Sequence, residues 1–106
     1  MAADKMEKII KLGQQGNVKK LSKYVQSASA EERAAAATAL GHSKGDEAYN
    51  ALISLLRDPD ITVRSSAVQA LVQAGRKEAV EHIRHTANSA TDAGFKEVCQ
   101  KAMAAL

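Results

Sequence analysis

His82 and His85, one helical turn apart with Glu78 and Glu81 beside them, are the residues whose spacing comes nearest to a chemical site. Two imidazoles three residues apart can reach one metal ion. A helical metal site is marked by HxxxH, by HExxH or by a third ligand, and none of these accompanies the pair. No metal is expected, and the pair reads as two solvated histidines. Cys99 has no second cysteine to bridge to, which fits a reducing compartment, and no adjacent His or Lys activates it. It reads as a buried structural cysteine. Lys44-Gly45-Asp46 has the composition of a turn, and His42-Ser43 follows Gly41, where a helix is expected to end. With no glycine-rich phosphate loop, GxSxG elbow or paired-Cys motif, neither an enzyme nor a cofactor is expected.

Charge is the other chemistry available, and it is unevenly placed. Residues 1–26 carry Lys5, Lys8, Lys11, Lys19, Lys20 and Lys23 against Asp4 and Glu7, a net +4, whereas residues 31–60 carry a net −3 and the whole chain +3. A basic end beside an acidic middle can steer an anionic partner, but it falls short of a nucleic-acid footprint.

The elements that must position these groups are helices. In 106 residues only one small domain fits, and 45% hydrophobic with 25% charged residues is a globular composition. Alanine supplies 21 positions and the aromatics are only Tyr24, Tyr49 and Phe95, so the helices should pack closely without a large aromatic core. No run of about 18 apolar residues occurs, and lysines interrupt residues 1–12. Neither a membrane span nor a signal peptide is expected, and a cytoplasmic location follows. Alternating strand patterns are absent, so the chain is expected to be all-α, with helices near 4–12, 17–26, 30–40, 46–57, 61–74, 77–88 and 92–105. Asp4 with Glu7, and Ser29 with Glu32, have capping-box spacing. Asn17, Asp46, Asp60 and Thr91 or Asp92 are further N-caps, and Gly13, Gly41 and Gly75 stand where left-handed helix ends belong.

Helices this short invite a test for repetition. A shift of 31 places Arg33 on Arg64, Ala36 on Ala67, Ala39 on Ala70 and Leu40 on Leu71, and a shift of 32 continues to Lys96, Cys99, Ala102 and Met103. The alternate helices obey the same period, with Val18, Tyr49 and Val80 in register and Leu21, Leu52 and Ile83 likewise. Small residues suit places where helices nearly touch, and larger ones fill the gaps.

The stretch 33–40, the segment 48–60 ending Asp58-Pro59-Asp60, and the run Val63-Arg-Ser-Ser-Ala-Val-Gln-Ala-Leu71 together resemble HEAT repeats of the short bacterial type related to those of phycobilin lyases. The resemblance implies a right-handed α-α superhelix, an armadillo-like solenoid of about three hairpins and seven helices. It would form one domain over residues 1–106: a half-repeat at 1–29, repeats near 30–60 and 61–91, and a capping helix at 92–106. It also implies an Asp/Arg ladder between successive repeats. Pro59 forbids continuation of the preceding helix and Asp60 can cap the next. Arg64 follows, with Asp58 and Asp60 as its expected partners. The positions matching Asp58 are Ser27 and Ser89, so the ladder should break at both ends.

The same resemblance puts the second helix of each hairpin on a concave face. Their apolar positions turn to the core, leaving Lys19, Lys20, Lys23, then Asn50, Ser54, Arg57, then Glu81, His82, His85 as a polar, largely basic strip. The expected function is therefore a non-enzymatic interaction scaffold that binds a protein partner on that strip. Two alternatives are weaker: an accessory subunit of a bilin or tetrapyrrole lyase-type system, for which aromatics are missing, and binding to a nucleic-acid backbone, against which the acidic middle argues. HEAT-repeat di-iron hydroxylases use His-Glu pairs, but the order here is Glu81-His82 and the matching Asn50-Ala51 holds no second copy. Association of two copies through the terminal helices is open, with Lys5, Lys8 and Lys11 opposing it at one end.

Overall fold

Local signals start and stop most helices where their chemistry requires. The computed structural model describes residues 2–106, with side chains from residue 4 onward. Met1, which opens the expected half-repeat, lies outside the described residues. The helices are α1 (Ala2–Gln14), α2 (Val18–Val25), α3 (Ala30–Leu40), α4 (Asp46–Leu55), α5 (Ile61–Ala74), α6 (Val80–Ser89) and α7 (Ala93–Ala105). A 3-10 turn, Lys77–Ala79, leads into α6, so the helix expected from 77 begins as a tighter coil. Asn17, Asp60 and Asp92 each accept a backbone N–H of the turn they cap, Asp60 from Thr62 at 2.8 Å and Val63 at 3.1 Å.

Three capping expectations are corrected. Asp4 lies inside the first turn of α1, where its charge favours the helix N-terminus without capping it. Gly45, not Asp46, is the N-cap of α4. Ser29 accepts from the Glu32 N–H at 3.3 Å, but the return limb of the box is replaced: Ser29 N–H donates to Ser27 Oγ at 3.1 Å, and Ser27 Oγ–H donates to Glu32 at 2.8 Å.

The helices stack in two layers, α1, α3, α5 and α7 side by side in one and α2, α4 and α6 in the other, giving a slab of 35 × 25 × 17 Å. The shortest dimension is about that of two helix layers at 8–10 Å spacing. Along the first layer the repeated positions Ala36, Ala39, Leu40, Ala67, Ala70, Leu71, Cys99 and Ala102 are all buried. Leu21, Leu52, Leu55, Leu56, Ile83 and Ala87 close the core from the other layer. Of the terminal apolar residues, Ile9 and Phe95 are buried and Ile10 is exposed.

Two of the three expected left-handed glycines have a different task. Gly75 does end α5 in the left-handed region, at φ 69°, but α1 runs through Gly13 and leaves at Gly16, φ 67°. Gly41 is right-handed at φ −61°. A Cβ on Gly13 would stand 2.8 Å from the Ala39 Cβ, and one on Gly41 would stand 3.0 Å from both Cα and Cβ of Ala70. These glycines let α1 approach α3 and α3 approach α5. Gly13→Ala and Gly41→Ala should each destabilise the protein by about 1–3 kcal/mol from overpacking, offset at Gly13, which lies inside α1, by up to about 1 kcal/mol of helix propensity. Chemical denaturation checks this, and two more stable variants would contradict the close approach.

Candidate functional site

The turn between α4 and α5 is built around Asp58, the one buried charged residue among the described residues. Backbone bonds from Leu56, Arg57 and Asp58 wind down the end of α4 before Pro59 stops it. Asp58 Oδ1 accepts the Asp60 N–H at 2.9 Å, which folds the turn onto itself. From the first turn of α3, Arg33 donates Nε–H to Oδ2 at 2.8 Å and Nη2–H to Oδ1 at 3.0 Å, a bidentate fork. Burial by itself would raise the Asp58 carboxyl. The bonds from Arg33 and the Asp60 N–H, with the charges of Arg33 and Arg64, outweigh it and hold Asp58 below its ordinary 3.8.

The expected pairing of Asp58 with Arg64 is thereby corrected. The carboxylate belongs to the arginine one period before Arg64, at the start of α3 in the same hairpin. Arg64 instead donates Nη1–H to the carbonyls of Asp58 at 2.8 Å and Pro59 at 3.2 Å. Arg33 makes the matching bonds one period earlier, to Ser27 at 2.9 Å and Ala28 at 3.3 Å. Each arginine thus ties down its own turn. The guanidinium of Arg64 also stands 5.2 Å from the Phe95 ring centroid. Asp60 is spent as a cap.

A groove of about 540 Å³ opens between the end of α4 and α6. Of the strip residues, Arg57, Glu81, His82 and His85 line it; Lys19, Lys20, Lys23, Asn50 and Ser54 are exposed on the same layer but outside it. Thr86 and Ser89 complete the α6 wall, and Thr86 Oγ–H donates to the Leu56 carbonyl at 3.1 Å across the groove floor. Glu81 pairs with Arg84, not with either imidazole. Among the described residues no three His, Cys, Asp or Glu side chains gather as metal ligands. Cys99 is fully buried at the Ala36/Ala67 place of the repeat, and burial raises its thiol.

The recess on the α2–α4–α6 face lies between α4 and α6, on the face to which the strip residues belong.

One side chain that sequence reasoning missed is Arg76, which clamps the opposite turns. It bonds Asp46 at 2.9 Å, Glu78 at 3.1 Å and the Lys44 carbonyl at 3.2 Å, and lies 4.1 Å from the Tyr49 ring centroid. The available signal was Asp46, 30 residues earlier, close to the repeat length. Burial and the Glu78 charge raise the Tyr49 phenol, which Arg76 opposes.

Stacked hairpins in which Arg33 and Arg64 tie down successive turns define a helical-repeat protein of the solenoid class. The family model for HEAT repeats matches residues 18–104, and the chain belongs to that family. No curated protein matches the chain.

Asp58→Ala leaves Arg33 without its carboxylate and frees the Asp60 N–H. We expect a loss of about 2–3 kcal/mol, toward the low end for a broken buried pair because 16% of the Arg33 side chain meets solvent. Because the Asp58 pKa is lower folded than unfolded, its contribution is complete above the unfolded value near 3.8 and drains as pH falls through the folded one. Thermal melts from pH 6 down to pH 2 should therefore fall more steeply for the wild type than for Asp58→Asn; parallel profiles would contradict the assignment.

Proposed function

We propose that the protein is a non-enzymatic interaction module that binds a protein partner on the α2–α4–α6 face. The observation that supports this most is the groove beside Arg57: a preformed recess whose charged lining sits on helices held by a packed core, so that little ordering is required on binding. HEAT repeats commonly serve as protein-interaction scaffolds, which agrees with this reading. Lys19, Lys20 and Lys23 extend the basic character from α2, and Asn50 and Ser54 lie between. Ser54 already donates to the Ala51 carbonyl at 2.7 Å, so Asn50 offers the freer hydrogen-bonding group of the two. Among the described residues, no helix is long and apolar enough to cross a membrane.

The test is affinity capture from the native organism with wild type and with Lys23→Glu plus Arg57→Glu. Both positions are exposed, so circular dichroism should be unchanged. A specific partner held by the wild type should be reduced at least tenfold with the double variant, the size expected when two favourable charges are reversed. Equal capture would move the binding face elsewhere.

A further inference from the structure

We propose that Arg64 is a carboxylate-binding anchor in the α4–α6 groove, taking an Asp or Glu side chain of a protein partner in place of the acid that the repeat lacks there. The protein contains its own template. Arg33 and Arg64 occupy the same place 31 residues apart, and each fixes its guanidinium by giving Nη1–H to two carbonyls of the turn before it. In Arg33 the remaining edge, Nε and Nη2, holds the Asp58 carboxylate. In Arg64 that edge has no acceptor among the described residues. The residue one period beyond Asp58 is Ser89, whose hydroxyl donates back to the His85 carbonyl at 3.1 Å.

Both Arg64 and Ser89 line the groove. The two carboxylates in its lining are engaged already, Asp58 by Arg33 and Glu81 by Arg84. Arg57 and Arg64 are left as its unpaired charges among the described residues. Contact with Phe95 and the two carbonyl bonds hold the Arg64 fork in place, so a ligand carboxylate meets a preset pair of donors. The template also selects the chemistry. One repeat earlier the same edge grips a planar carboxylate.

This inference rests on the reading that the α2–α4–α6 face binds protein, but its test needs no partner. The blocked peptide acetyl-Ala-Glu-Asp-Glu-Ala-amide is titrated against its Gln/Asn counterpart and against inorganic phosphate, following the Arg64 side-chain Nε–H by NMR. The acidic peptide should shift that resonance saturably, with Kd on the order of 1 mM, as one bidentate pair allows. Arg64→Gln, followed by the backbone amides of Arg57 and Thr86 in the same groove, should weaken binding at least tenfold. Because that variant also loses two turn bonds, Ser89→Asp is the decisive companion. It supplies the missing acid internally and should raise Tm by about 2–4 °C while weakening peptide binding at least tenfold. Gln69→Glu, the same charge change at an exposed position of α5, should leave binding within twofold. Equal shifts from the Gln/Asn peptide, binding that survives Ser89→Asp, or a response to phosphate alone would each overturn the proposal. The face itself would be refuted separately, by unchanged capture with the Lys23/Arg57 double variant.

Discussion

The Arg33–Asp58 fork is the contact on which the register of the stack depends. It joins the first turn of α3 to the turn that leaves α4, the two ends of one hairpin, so it forms only when α3 and α4 lie side by side and the exit toward α5 is level with the entry to α3. The same carboxylate accepts the Asp60 N–H, and Asp60 then caps α5. One buried side chain thus sets the exit of α4, the entry of α5 and the alignment of both with the start of α3. Desolvation makes such a pair a poor source of net stability, but a shifted register would bury the carboxylate unpaired, which is far worse. Its value is in excluding the alternatives.

Around that constraint the two layers obey different rules. Gly13 against Ala39 and Gly41 against Ala70 draw α1, α3 and α5 together until backbone nearly touches side chain. The layer of α2, α4 and α6 carries larger residues on its core face and polar ones outside, and it parts between α4 and α6. The groove there follows from the same repeat that builds the fork. Where the period continues with Asp58 the turns are locked; where it continues with Ser89 the arginine edge faces open space. The structural motif and the candidate binding site are successive copies of one arrangement, the second lacking its acid.

Much of the fold was legible because it rests on local rules. The bounds of α3 and α5 agree with helical periodicity and with the caps Ser29 and Asp60, whose oxygens reach N–H groups only two or three residues away. The fate of Gly41 was not legible, since a glycine after a helical run looks the same whether it turns left-handed or admits a neighbour. Likewise Asp46 has the composition of a cap, and only the arrival of Arg76 from 30 residues on shows why it stands inside the helix instead. The groove was half visible: His82, His85 and Arg57 were singled out by exposure, Arg64 only as a structural residue.

The sequence by itself determined that this chain forms short helices in a 31-residue period, and that the acid of the ladder is absent at Ser27 and Ser89. Composition and spacing carry those facts, because capping and helix breaking act over a few residues. Which arginine holds Asp58, which layer is the tight one and where the recess opens were decided only by tertiary structure. Those depend on distances between groups far apart in the chain, which are set when whole helices pack and not by any neighbouring residue.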